Sequence, residues 1–192
     1  MGTIKSKVSS AWEEIDTLKV PVSGAYQEAD HANALVNGAW QEVWSSGYSF
    51  TPTINNTTYG TCTPQGSSVN WTATASVNYG LTIALTLEGD VDIPVNTAFD
   101  VSFALQYAKV ESTSGAIGGG TIITCYDASG KSVSAKNITS PTSSTTVNFT
   151  GLKSTTNPIK KITITVNLIG SKFSFDATIT NLVVAGTKCK FV

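Results

Sequence analysis

Hydrophobic residues alternate with polar or small residues along much of the second half of the chain. The alternation covers residues 81–87, 101–107, 162–168 and 173–179. Successive side chains of a strand point to opposite faces of a sheet, so a period of two is typical of a strand with one buried face. Turn-forming runs such as Gly118-Gly119-Gly120 separate these stretches. About eight short strands without a helical stretch predict an all-β fold, an antiparallel jelly-roll β-sandwich over residues 69–192.

The first 45 residues follow another pattern, a motif of eight residues that occurs three times. The octads cover residues 8–15, 22–29 and 36–43, and each begins 14 residues after the previous one. Each has the order Val, two small turn residues, Ala, an aromatic residue, Glu or Gln, Glu, and an apolar residue. Three matches in constant register indicate a repeated supersecondary unit.

The turn residues of the octads predict β-hairpins. Ser23-Gly24 and Asn37-Gly38 favour the positive φ of a two-residue turn, so the flanking residues become the arms of a hairpin. For the first octad an amphipathic helix over residues 6–18 remains an alternative, because its apolar residues also fit a period of 3.6. A hairpin of about a dozen residues cannot bury its aromatic side chain alone. We therefore expect docking or oligomerisation through Trp12, Tyr26, Trp40 and Trp44.

Composition divides the chain into three parts. Residues 1–45 hold the repeats and are expected to be an anchoring segment. Residues 46–68 are rich in Ser, Thr, Asn, Gly and Pro, which predicts a linker or long loop with one short strand around residues 48–50. Residues 69–192 form the predicted sandwich.

Charge and hydroxyl content exclude some classes of partner. The chain has 28 Thr, 22 Ser and no Arg, and its formal charge is −1. A nucleic-acid-binding surface needs clustered cations, so we expect no nucleic acid partner. No run of roughly 18 apolar residues occurs, so we expect no membrane insertion. The first residues also lack the apolar stretch of a secretory signal, which favours assembly in a cytoplasm.

Few residues are suited to catalysis. His31 is the single histidine, and no nucleophile elbow or phosphate-binding loop occurs. Cys62, Cys125 and Cys189 are too widely spaced for a zinc or iron–sulfur site, so we expect three reduced, partly buried thiols. The sequence thus indicates a protein that is not an enzyme and has no catalytic residues.

Two groups of residues are candidates for ligand binding. The sequence predicts a turn that carries three acids, Glu88, Asp90 and Asp92. Oxygen ligands from one loop suit a structural Ca²⁺, and a plain acidic turn is the alternative. No other cofactor is expected. Glycan binding needs exposed rings with polar neighbours. The candidates are Trp71, Tyr79, Tyr107 and Tyr126, with Gln106 and Asn78 as polar partners, and for each ring a place in the core or at an edge remains the alternative.

Several stretches of the sandwich resemble the carbohydrate-binding-module jelly rolls found in xylanases. They are residues 81–85, 93–103, the strand 122–130 that ends in Asp127-Ala128-Ser129-Gly130, and the closing strand 174–179 with its Asp176. The resemblance covers about three-fifths of the chain and implies a jelly-roll fold with carbohydrate binding.

The repeats, in turn, resemble short hairpin repeats with Val-Asn-Gly-x-Trp cores in structural proteins of tailed bacteriophages. Val36-Asn37-Gly38-Ala39-Trp40 carries the likeness, although Gln and Glu stand here where Lys is common in those proteins. The resemblance implies a fibre, decoration or baseplate-type protein on the virion surface, assembled in the bacterial cytoplasm. Its expected partners are other virion proteins, further copies of itself as a trimer, and a cell-surface glycan. The alternative is a carbohydrate-binding module of a bacterial polysaccharide-degrading system.

Overall fold

A computed structural model of the chain describes two units, residues 1–47 and residues 48–192. Backbone and side chains are described for residues 47–77, 80–111, 119–139 and 143–192. The backbone alone is described for residues 5–8, 11–14, 19–22, 25–28, 31–36, 39–45 and 112. Among them there is no helix with the length and hydropathy needed to cross a bilayer.

The N-terminal unit contains three β-hairpins. Its strands are β1 (Lys5–Val8), β2 (Ala11–Glu14), β3 (Lys19–Val22), β4 (Ala25–Glu28), β5 (His31–Val36) and β6 (Ala39–Ser45). Each consecutive pair forms its own antiparallel sheet of two strands. The innermost partners are Val8 with Ala11, Val22 with Ala25, and Val36 with Ala39, which leaves two residues for each turn. The hairpin prediction is confirmed, while the turn residues themselves lie outside the described ones.

The helical alternative for the first octad is wrong. Lys5 to Val8 pair residue by residue with Glu14 back to Ala11, as in the other two hairpins. All three hairpins have the same cross-strand register, as the 14-residue repeat predicts. The local period of 3.6, which predicts a helix for the first octad, is therefore outweighed by the repeat.

The second unit is an antiparallel β-sandwich of the jelly-roll type, as predicted. Its strands are β7 (Ser49–Ile54), β8 (Gly60–Pro64), β9 (Ser68–Ala75), β10 (Leu81–Ile93), β11 (Phe99–Ser112), β12 (Gly120–Tyr126), β13 (Ser132–Thr139), β14 (Thr145–Leu152), β15 (Ile159–Gly170), β16 (Phe173–Val184), β17 (Thr187–Lys188) and β18 (Lys190–Phe191). The first sheet has the order β13-β12-β15-β10-β7-β18, and the second the order β14-β11-β16-β9-β8 with β17 beside β16.

The core lies between the inner faces of these two sheets. Alternate residues of each long strand point inward, so that Ile162, Ile164 and Val166 of β15 and Phe173 and Phe175 of β16 are buried. Burial of each such side chain contributes about 1.5–3 kcal/mol of hydrophobic stabilisation. The unit therefore holds a core of its own.

The linker predicted for residues 46–68 is not observed. Ser49–Ile54 pairs with β10, and Gly60–Pro64 pairs with β9, so the two segments extend both sheets. Phe50 and Pro52 are buried while Thr51 and Thr53 between them are exposed. Thr is polar, so its high frequency gives these strands the composition of a loop. It is also β-branched and therefore favours strands. The sandwich thus begins at Tyr48 and not at residue 69.

Hydroxyl groups cover the outer faces of both sheets. Cross-strand contacts join Thr86 to Thr165 at 3.1 Å on the first sheet. On the second sheet Thr61 and Thr72 lie 3.0 Å apart, and Thr74 lies 3.2 Å from Ser174. Such pairs stabilise neighbouring strands without the charged side chains that usually cover a β-sheet surface.

Candidate binding surfaces

The outer face of the first sheet brings together one aromatic ring, hydroxyl groups and charges. Strand register places Thr51, Glu88, Thr163 and Thr124 in one row across β7, β10, β15 and β12. The adjacent row holds Asp90, Lys161 and Tyr126. We call these seven residues the Tyr126 face.

Tyr126 is half-buried, and a lysine partly covers its ring. The Nζ of Lys161 lies 5.5 Å from the ring centroid and 3.5 Å from Oε1 of Glu88. A cation over an aromatic face gains about 0.5–1 kcal/mol at an exposed site. The ring, the ammonium group and the carboxylate thus form a chain of contacts that can present both an apolar surface and hydrogen-bonding groups to a ligand.

A polar cleft of about 310 Å³ opens beside the Tyr126 face. Its walls are Ser49, Thr51, Glu88, Gly89, Asp90 and the C-terminal residue Val192. Gly89 is required here, because a Cβ on it would lie 2.7 Å from the Ser49 carbonyl oxygen and 2.8 Å from the Phe50 ring. The glycine lets Phe50 pack into the core directly below the cleft.

The expected calcium turn at Glu88, Asp90 and Asp92 is wrong. The three acids lie on β10, which runs without interruption from Leu81 to Ile93. They alternate along one strand that rises about 3.3 Å per residue, so Glu88 and Asp92 lie roughly 13 Å apart, too far for all three acids to bind one Ca²⁺. Lysines contact two of them, Lys161 at Glu88 and Lys160 at Asp92 at 2.6 Å. In the described part of the chain no group of three or more His, Cys, Asp or Glu residues could hold a metal ion.

Two of the predicted glycan-binding rings occupy inward positions of their strands. Trp71 of β9 is fully buried and meets the Phe175 ring at 4.7 Å in an edge-on contact. Its Nε1 has no hydrogen-bond partner among the described residues. Tyr107 of β11 is half-buried and packs against the core, and burial raises its pKa to about 12. The prediction for Trp71 is therefore wrong, while Tyr107 takes the alternative place expected for it, at the edge of the core.

The other candidates do not meet in one site. Tyr79 and Asn78 lie outside the described residues. Gln106 is exposed, but it lies on the second sheet, opposite Thr178 of β16. Tyr126 is thus the candidate ring that a described sheet face presents to solvent.

A carboxylate in the turn after β12 fixes the end of the sandwich next to Tyr126. The Oδ1 of Asp127 accepts hydrogen bonds from Ser129 Oγ at 2.6 Å, Ser129 N at 2.9 Å and Lys131 N at 3.0 Å. Its Oδ2 accepts one from Asn157 Nδ2 at 2.7 Å. Hydrogen bonds from the Ser129 and Asn157 side chains, with smaller backbone contributions, lower the pKa of Asp127 to about 2 against an opposing effect of burial. The Asp-x-x-Gly sequence predicts this turn, but it does not predict the hydrogen bond between Asp127 and Asn157.

The predicted docking residues occupy equivalent places in the three hairpins. Trp12 pairs with Lys7, Tyr26 with Pro21 and Trp40 with Leu35. Trp44 follows in β6, opposite Ala32. Their role in docking stays a prediction, since the side chains lie outside the described ones.

The thiols agree with the prediction of free, partly buried cysteines. Cys125 is buried, and Cys62 and Cys189 are half-buried. Burial raises the pKa of Cys125 and of Cys189 to about 12 and that of Cys62 above its ordinary value, so all three are protonated at neutral pH.

Several solved structures align with this chain at low sequence identity. No family model and no curated protein matches the sequence. Tailspike protein 4 of bacteriophage CBA120, in its enzymatically active domain, aligns with 73% of this chain at 13% identity and a TM-score of 0.45, over 19% of its own length. TmCBM61, solved with β-1,4-galactotriose, aligns over 70% of this chain and 86% of its own at 14% identity, with a TM-score of 0.41. VP2 of infectious bursal disease virus aligns over 88% and 41% of the two chains at 15% identity, with a TM-score of 0.41.

Replacing Asp127 by Asn should lower stability and alter its dependence on pH. A carboxyl with a lowered pKa stabilises the fold above its ordinary pKa and loses that contribution as the pH falls to about 2. Denaturant unfolding between pH 7 and pH 2 should show this loss in the natural chain. The variant should be less stable at pH 7 and change less below about pH 4, because its amide cannot accept from both Ser129 and Asn157.

The exposed Asp176 supplies the control for this measurement. Asp176→Asn should follow the natural pH profile. Equal pH profiles for the natural chain and Asp127→Asn would show that the turn does not depend on this carboxylate.

Proposed function

We propose that this protein is a non-enzymatic structural protein of a tailed-phage virion, a fibre, decoration or baseplate-type component. Its N-terminal hairpins dock it to other virion proteins, and its sandwich is displayed on the particle surface after assembly in the bacterial cytoplasm. The observation that carries the proposal is the presence of three hairpins with one common register beside a unit with its own core.

The repeats support a docking role. A lone two-stranded sheet is marginally stable in water, so three of them in succession are suited to folding against a partner. The resemblance of Val36-Asn37-Gly38-Ala39-Trp40 to phage hairpin repeats supports a virion as that partner.

The distribution of reactive groups supports a non-enzymatic role. His31, the single histidine, lies on β5 of the N-terminal unit. Two acids of β10, Glu88 and Asp92, are paired with lysines, and the carboxylate of Asp127 accepts four hydrogen bonds from Ser129, Lys131 and Asn157. These three carboxylates thus have structural partners.

Removing residues 1–47 should abolish incorporation into virions while leaving the sandwich folded. Tagged chains would be produced in cells infected with the phage that encodes this protein, and purified particles would be tested for the tag. The full chain should be incorporated and the chain of residues 48–192 should not. The truncated chain should unfold within a few degrees of the full chain, since the core lies in residues 48–192.

A full-length chain with Tyr126→Ala is the matched control, because it keeps the hairpins and should still be incorporated. Incorporation of the truncated chain, or absence of the full chain from purified particles, would contradict the docking role.

Glycan binding by the displayed sandwich is a second candidate function. The Tyr126 face supports it, because a half-exposed ring lies beside hydroxyl groups, two carboxylates and a cleft of about 310 Å³. Sugar C–H groups pack on aromatic rings, while sugar hydroxyls exchange hydrogen bonds with polar side chains. Weak contacts of this kind become useful for attachment when many copies act together.

Tyr126→Ala should weaken binding to any glycan that the full chain recognises on an array, by roughly three- to tenfold, because the ring surface is lost. Gln106→Ala changes the outer face of the opposite sheet and should leave binding unaltered. An array without a bound glycan, or equal effects of both variants, would contradict this site. Tight binding by residues 48–192 alone would instead favour a carbohydrate-binding module of a polysaccharide-degrading system.

A further inference from the structure

The two strands of each N-terminal hairpin differ in charge. The first strands of the first two hairpins carry lysines, and none of the three first strands carries an acid, while all three second strands carry glutamates and no lysine. The lysines are Lys5 and Lys7 on β1 and Lys19 on β3, and the glutamates are Glu13 and Glu14 on β2, Glu28 on β4 and Glu42 on β6. In the third hairpin His31 replaces the lysines on the first strand. Each hairpin therefore has a basic or neutral edge and an acidic edge.

Both edges of each hairpin are open within the described residues. β1-β2, β3-β4 and β5-β6 are three separate sheets, so each strand bonds to its hairpin partner on one side and pairs with no other described strand. An open strand edge presents unpaired N–H and C=O groups, and it readily pairs with another strand.

We propose that these edges pair between copies of this chain, with the first strand of a hairpin in one copy beside the second strand of a hairpin in the next. The inference rests on the proposed function, in which residues 1–45 assemble the protein. Register inside the hairpins shows the favoured combination, because Lys5 lies opposite Glu14 and Lys19 opposite Glu28. Opposite charges across strands stabilise a pair and like charges destabilise it, so basic edges select acidic ones.

The strand directions allow this pairing. Two hairpins that lie side by side with their turns at the same end place a second strand antiparallel to a neighbouring first strand, which continues the sheet. The contact is head-to-tail, and head-to-tail contacts close into rings when the rotation permits. Because the chain has three hairpins in one register, each pair of copies can repeat the contact, which multiplies a weak interaction.

The test is a charge exchange in the full chain. One variant carries Lys5→Glu, Lys7→Glu and Lys19→Glu, so that the edges of its first two hairpins are acidic or neutral. The other carries Glu14→Lys, Glu28→Lys and Glu42→Lys, so that lysines occupy both strands of the first two hairpins and the second strand of the third. Mass in solution is measured by sedimentation equilibrium for each variant and for their mixture. A third variant with Lys131→Glu, Lys153→Glu and Lys188→Glu changes three exposed lysines of the sandwich and controls for net charge.

The natural chain should form an oligomer that is weakened at about 1 M NaCl, where the screening length is about 3 Å. Each repeat variant alone should associate about tenfold or more weakly, and the equimolar mixture should associate more tightly than either variant alone, because only mixed oligomers contain contacts between oppositely charged edges. The sandwich variant should associate like the natural chain. Both repeat variants lose the opposite charges within their own hairpins, so mixing can restore assembly only through contacts between chains.

A monomeric natural chain, or a mixture that associates no more tightly than either variant alone, would overturn the pairing between copies. Unchanged association of both repeat variants would overturn it as well. Incorporation into virions tests the proposed function separately, since a monomer that still docks on another virion protein would contradict this inference alone.

Discussion

A two-stranded hairpin has one layer and two open edges, and this constraint separates the two units of the chain. Each hairpin of residues 5–45 pairs its two strands and leaves the outer side of both without a described partner strand. A sheet of this size gains too little burial to be independently stable in water. A larger assembly could supply the missing surface, and this is the physical basis for the proposal that residues 1–45 are a docking segment.

The sandwich obtains the burial that it needs for stability from its own two sheets. Its two sheets bury their inner faces against each other, from Phe50 near its first residues to Phe191 near its last. Its outer faces carry Thr and Ser in cross-strand contacts such as Thr86 with Thr165. The surface is thus polar with little charge, and the Tyr126 face differs from it by an aromatic ring, Lys161 and two carboxylates. That difference makes it the candidate contact site of the sandwich.

The periodicity of the sequence predicts most of the fold. Where residue composition predicts a loop and the periodicity predicts a strand, the structure has a strand. The alternation along strands such as β15 predicts which side chains share one face of a sheet. The 14-residue period predicts which residues occupy matching positions in the three hairpins. The composition of residues 46–68 is typical of a linker because Thr counts as polar, although it favours strands. The run Glu88-Gly89-Asp90 resembles a turn, but Gly89 lies within a continuous strand, where it makes room for Phe50. The site was harder to predict, since the inward side of Trp71 and the meeting of Tyr126 with Lys161 depend on strand register across distant segments.

Hydrogen–deuterium exchange of the full chain, at a dilution that gives monomers and again in the assembled state, tests the central claim most directly. The amides of β1 to β6 should exchange rapidly in the monomer and become protected on assembly, because only a partner surface completes their burial. The amides of β10, β11, β15 and β16 should be protected equally in both states, since their core is internal. Strong protection of the hairpin amides in the dilute monomer would contradict the account, because the N-terminal unit would then be stable without a partner.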